Sequence, residues 1–151
     1  MLPSVRYRLT AALVVLAAAA LSAACSSSEQ ETAYKSMSAA QSAGALHSGW
    51  IPAWLPPDAY NLKERHVSDM SRSIVRFAFP ADEKWAPPSD CSPVPLSQVA
   101  APEVAAAWWP NDVATRGVAD PGHIYFACAA ATAFLAVNHS RGEGFYWRVR
   151  R

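Results

Sequence analysis

Ser73-Ile74-Val75-Arg76-Phe77-Ala78-Phe79 decides the fold class. Val75, Phe77 and Phe79 take every second place, with Ile74, Arg76 and Ala78 between them. Residues two apart share a face in an extended strand, so the spacing predicts a half-buried strand with its aromatic side inward. Just upstream, Leu62-Lys63-Glu64-Arg65-His66-Val67 reads as a second strand. The polar run Ser68-Asp69-Met70-Ser71-Arg72 between them suits the turn of a hairpin.

Working outward, Ala86 to Pro95 is a proline-rich crossing that carries Cys91. Pro102 suits the first turn of a helix and Glu103 its positive end. With Val104 and Trp108 on one face, a short helix is predicted there, stopped by Pro110. His123 to Ala129, Thr132 to Val137 and Phe145 to Arg150 read as strands, with Gly142 and Gly144 marking the last turn. On the other side, Gly49-Trp50-Ile51-Pro52-Ala53-Trp54-Leu55-Pro56-Pro57 cannot be a helix interior, because proline lacks an amide donor and biases its predecessor away from the α region. It is expected to run extended, laying Trp50 and Trp54 onto the core or into a surface groove. The elements together make an α+β domain. Its small antiparallel sheet has about five strands, with one short helix and the Pro/Trp-rich segment packed on one face. The chain's 151 residues leave room for one domain, expected at residues 46–151.

The amino terminus carries no part of that domain. Arg6 and Arg8 form a positive start, Leu9 to Leu21 runs without a charge, and Ser22-Ala23-Ala24 are small. A span of that length falls short of the ~20 apolar residues a membrane helix needs, and the order is that of a cleavable export signal over residues 1–24. Leu21-Ser22-Ala23-Ala24-Cys25 resembles the lipobox of bacterial lipoproteins, with one departure: Ser22 stands where the family prefers leucine, and Leu21 lies one place earlier. The resemblance implies diacylglycerol on the Cys25 thiol, cleavage before it and acylation of the new amine. Ordinary cleavage nearby, leaving Cys25 as a thiol, is the alternative. Two or three acyl chains at ~0.8 kcal/mol per buried CH₂ anchor durably where one does not. Ser26 after the cysteine implies outer-membrane sorting if the host has two membranes. Residues 25–45, rich in Ser, Ala, Gln and Glu, read as a flexible tether.

The three cysteines fit this scheme. In an oxidising compartment an odd thiol calls for an explanation. Lipid on Cys25 leaves Cys91 and Cys128 to pair, which the chain-entropy account values at about 3–4 kcal/mol; two buried free thiols are the alternative. Charge says little of partners. The formal net charge of +1 falls to −1 when Arg6 and Arg8 leave with the signal. The only basic cluster, Arg148-Val149-Arg150-Arg151, is no nucleic-acid motif.

Motifs of catalysis are missing: no glycine-rich phosphate loop, no H-E-x-x-H, no nucleophile elbow, so no catalytic residue, metal site or cofactor is expected. Glu64 and His66 share one face of their strand, and His123 or His139 could approach them to make a metal site or acid–base pair. The plainer reading puts them on the solvated side of a sheet. Asp112 and Asp120, in the loop Asn111 to Gly122, match no cation-loop spacing. Six tryptophans are many for this length. Trp108 and Trp109, ~100° apart on a helix, cannot face one way, so Trp50, Trp54, Trp108 and Trp109 are candidates for a surface that contacts glycan or protein, with core packing as the alternative.

Ile51-Pro52-Ala53-Trp54-Leu55-Pro56, then Ala59, Asn61, Glu64 and His66, then Val75-Arg76-Phe77-Ala78-Phe79, resembles a small envelope domain, the YbbD head, with a Tyr-Trp ending near Trp147. The resemblance implies a small lipoprotein domain and transfers no catalytic residue. The expected function is therefore a membrane-anchored, non-catalytic envelope domain that engages a protein or glycan. Two alternatives stand beside it. One is an inhibitor or immunity protein that plugs a partner's cleft with the Asn111–Gly122 loop. The other is a metal-binding or small hydrolytic protein using Glu64 and His66.

Overall fold

The hairpin forms as its alternation predicts. In the computed structural model, which describes residues 28–110, 113 and 122–150, β2 (Tyr60–Val67) pairs antiparallel with β3 (Ser73–Ala78). Glu64 lies opposite Val75, and His66 opposite Ser73. Around this pair the sheet grows in both directions. β1 (Glu29–Ser36) adds to the free side of β2; β7 (Glu143–Arg148) adds to β3, followed by β6 (Ala133–Asn138), β5 (Ile124–Cys128) and the two-residue β4 (Ser92–Pro93). All neighbours run antiparallel, in the order β1-β2-β3-β7-β6-β5-β4. The described residues thus hold seven strands rather than about five, with one short helix, and the fold is mostly β.

Two corrections concern where elements lie. From Glu29 on, the expected tether belongs to the domain: it forms β1 and then α1 (Met37–Ser42). Its polar composition is that of an edge strand, which needs apolar side chains on only one face and is blunted by charge. Tyr34 is the buried one, while Glu29 and Glu31 pair with Arg65 of β2. Ser36 caps α1, its hydroxyl accepting from Ala39 N at 3.1 Å, and Met37 and Ala40 face inward.

The helix expected from Pro102 is absent. Residues 100–110 make bends and turns that lay Val104, Ala106, Trp108 and Trp109 against the sheet. Trp147 Nε1 donates to Ala100 O at 2.8 Å and Arg76 Nη1 to Trp108 O at 3.3 Å. The Trp/Pro segment is also not extended. It advances by tight turns, Leu55 N bonding Pro52 O and Ala59 N bonding Pro56 O, as prolines with free carbonyls permit.

Both faces of the sheet are covered. On the first, Leu62, Val75, Phe77, Leu135, Val137 and Tyr146 meet α1 and the Ile51, Leu55 and Ala59 side chains. On the second, Ile74, Phe134, Ala136, Phe145 and Trp147 meet Val104, Trp109 and Val113. This is why β6 is buried at every position and reads as an unbroken apolar run. Gly144 lets the Phe77 ring lie flat on β7, since a Cβ there would fall 2.2 Å from it. Cys91 and Cys128 are bonded, and they tie the segment before β4 to the end of β5.

Coverage of the second face runs from β5 to β3 and reaches β2 only at its Val67 end. The cross-strand row Ala33, Lys63, Arg76, Phe145, Ala136, Tyr125 shows the change. Its β7–β5 half is apolar and roofed, and its β1–β3 half is charged and open.

Candidate functional site

Glu64 and His66 alternate onto the first face with Leu62, so they point into the core and not to solvent. Both are buried, and His66 Nδ1 lies 2.8 Å from Glu64 Oε2. A contact that short requires a proton between the two groups. Trp50 stacks on the His66 ring at 4.9 Å. Burial pushes the Glu64 carboxyl above its ordinary range; the His66 contact and the Thr32 hydroxyl pull the other way without cancelling it. No other histidine joins this pair. His123 packs against Tyr125 and Phe145, 3.8 Å from Glu143, and His139 lies edge-on to Phe79. Among the described residues no three His, Cys, Asp or Glu side chains gather as metal ligands would. Asp112 and Asp120 lie outside the described residues.

The four candidate tryptophans do not make one surface. Trp50 and Trp54 lie over the first face, Trp108 and Trp109 over the second. Trp54 stacks with Trp85 and meets Tyr146 edge-on. Trp109 is buried, edge-on to Phe145 and Trp147, while Trp108 is half-buried beside it. Their areas go to sealing two cores, and none is among the exposed large side chains, which are Tyr60 and Ile124.

A site without a motif appears where the second face is open. A cleft of about 740 Å³ lies over β1, β2 and β3, lined among others by Lys35, Tyr60, Asn61, Lys63, Arg76 and Arg141. Its shape comes from a β-bulge. Tyr60 pairs with Ala78 and Lys63 with Arg76, so two residues of β2, Asn61 and Leu62, face one of β3. Asn61 takes φ +50° to make this turn, a conformation asparagine tolerates better than other side-chain-bearing residues. Small Ala33 and Ala78 leave the space open.

The electrostatics of the open half are segregated. At one end Glu29 and Glu31 are met by Arg65. At the cleft end, Lys63 stands directly opposite Arg76 on neighbouring strands, with Lys35 on the strand beyond. Like charges so placed repel by a few tenths of a kcal/mol to ~1 kcal/mol. Glu143 is the carboxylate within reach, 4.0 Å from Arg76 and 3.6 Å from Arg141. Among the described residues Lys35 and Lys63 have no carboxylate within 4.0 Å. Counting outward from the Ser68–Arg72 turn would set Lys63 against Phe77; the register is one residue off that count, with His66 opposite Ser73, and so brings Lys63 against Arg76. Lys35 sits in β1, which composition disguises.

Cys25 and most of the Asn111–Gly122 loop lie outside the described residues; Val113 of that loop is buried. Among the described residues no helix is long and apolar enough to cross a membrane. The sequence pattern of the YbbD head domain family matches residues 28–78, about a third of the chain. The match takes in β1, α1, β2 and β3, and with them Glu64, His66, Lys35, Lys63 and Arg76; the β4–β7 half of the sheet lies beyond it. No curated protein and no solved structure matches the chain.

Proposed function

We propose that the chain is exported, loses residues 1–24 and is held at the cell envelope by lipid on Cys25. There its domain acts as a non-catalytic binding module through the Lys35–Lys63–Arg76 cleft. The leader and its terminal cysteine support the address, and the family match supports an envelope-associated domain. One observation carries the binding reading: cationic side chains line a preformed cleft whose volume is in the range that holds small ligands, ~300–1,000 Å³. The carboxylate–imidazole pair that would favour an enzyme is turned away from it and sealed under Trp50.

The test uses the acylated protein in its host's membranes, with a photo-crosslinking residue in place of Tyr60 at the cleft or of Ser97 on the opposite, roofed half. An adduct formed from position 60 and absent from position 97 is expected. Adducts from both positions alike, or from neither, would overturn the cleft as the binding surface. Mass spectrometry of the same preparation checks the anchor, which predicts a chain beginning at Cys25 with its acyl mass.

A further inference from the structure

Resting on that reading, we propose that the cleft seats a phosphate group. Three features select this chemistry. First, the cations are presented at points of one concave surface: Lys35 from β1, Lys63 from β2 and Arg76 from β3. Two ammonium groups and a guanidinium match an anion of more than one charge, and a tetrahedral one accepts them from several directions. Second, Lys63 opposite Arg76 is a repulsive pair that the fold retains. A bound anion between them turns that repulsion into attraction, which is the differential interaction a binding site requires. Third, Asn61 departs from strand geometry at the same place. Its positive φ and the bulge put Tyr60 and Asn61 in the cleft lining, two residues that carry neutral donors beside the charges. Strained backbone kept at the rim of a charged cleft is where such strain is expected to serve a ligand.

Arg76 is already oriented for this. Its Nη1 donates to Trp108 O and its guanidinium lies over the Phe145 ring, 5.7 Å from the centroid. Those contacts hold the planar group in place before any ligand arrives, so little rotamer freedom remains to be lost on binding. Glu143, 4.0 Å away, limits the net positive charge. A singly charged carboxylate therefore gains less here than a phosphate does. The phosphate could belong to a soluble ester or to the headgroup of an anionic lipid in the anchoring membrane, and the two sources are separable.

The experiment takes the acylated protein in nanodiscs of phosphatidylcholine and titrates it with inorganic phosphate and with glycerol phosphate, at ionic strength held constant with chloride. The signals are the amide shifts of residues 33–36, 60–63 and 76–78 and the thermal midpoint. Saturable shifts at millimolar ligand are expected, weakened at least tenfold by Lys63→Gln and by Lys35→Gln. Lys84→Gln, which removes a lysine that does not line the cleft, should leave them unchanged. A second arm replaces a third of the lipid by phosphatidylglycerol. The same shifts appearing without soluble ligand assign the phosphate to the headgroup; their absence there, with binding of the soluble esters, assigns it to a soluble ligand. Because Lys35 and Lys63 are exposed, both variants fold, and Lys63→Gln should lose the phosphate-induced rise in midpoint. No saturation in either arm, or saturation that survives both lysine substitutions, overturns the phosphate assignment. The Tyr60 crosslinking result is independent of it, so a cleft that binds some other ligand would still give its adduct.

Discussion

Replacing His66 by Phe keeps a ring against Trp50 and removes the one nitrogen that meets Glu64. What remains is a carboxyl group with no exposed surface that has lost its nearest partner, the His66 nitrogen at 2.8 Å. Breaking a buried pair in this way costs about 3–5 kcal/mol, because the surviving charge has lost water and gained nothing. Glu64→Met leaves only a neutral imidazole unsatisfied, at about 1–3 kcal/mol. The double variant Glu64→Met with His66→Phe leaves no orphan, so it should fall within ~1.5 kcal/mol of the parent. The cycle therefore predicts strong non-additivity, with a coupling near the ~3 kcal/mol upper end for touching residues. Urea unfolding followed by tryptophan fluorescence at pH 8 measures it. With slopes of ~1–3 kcal/mol per M, a loss of about 3 kcal/mol moves the midpoint down by about 1–3 M. If the double variant instead costs the sum of the two singles, the pair is not the self-contained buried unit described above. A His66→Phe cost below ~1 kcal/mol would be equally damaging to the reasoning.

Burial raises the Glu64 carboxyl, so the folded chain binds that proton more tightly than the unfolded one. The stability it contributes is complete below the ordinary glutamate value of ~4.3 and is lost as pH rises through the raised folded value. Glu64→Gln should flatten this decline in a series of urea midpoints between pH 4 and 8, and a decline of unchanged steepness would exclude Glu64 as its source. Serine at both Cys91 and Cys128 opens a loop of separation 37, which the entropy account values at about 4 kcal/mol. A midpoint unmoved in urea would contradict that. A chain begun at residue 46 loses β1 and α1, and with them buried Tyr34 and Met37, worth roughly 3–6 kcal/mol at ~1.5–3 kcal/mol each. Set against ~5–15 kcal/mol of total stability, this chain should show no cooperative transition by circular dichroism while one begun at residue 28 does; equal transitions would refute the assignment of β1 to the domain.

Legibility followed the strength of each local pattern. β2 and β3 announce themselves through alternation, and β5, β6 and β7 through apolar or aromatic runs between glycine and polar turns. β1 hides because an edge strand with one buried side chain, Tyr34, has the composition of a linker. The Pro102–Trp109 segment misleads in the opposite sense. It satisfies the start and stop rules of a helix, yet it runs as bends and turns that lay Val104, Ala106 and Trp109 on the sheet, with Trp108 O accepting from Arg76. The tryptophans were conspicuous for their number, but the cleft is built from lysines and an arginine that look like ordinary strand-surface charge until three strands bring them together.

Local order along the chain was enough to mark the strands of the β2–β3 hairpin, the three carboxy-terminal strands and the pairing of Cys91 with Cys128. Those depend on neighbours a few residues apart, or on counting. Alternation also established that Glu64 and His66 share a face with Leu62, and that Lys63 and Arg65 take the other. It could not say which face stays dry. That was decided by the layers folded over the sheet, with residues 37–59, Trp85 and Cys91 packed on the first face, and residues 94–109 with Val113 covering the second from β5 to β3 and the Val67 end of β2. A strand's period is a property of its own backbone, whereas the solvent on either side of it is set by what distant segments cover.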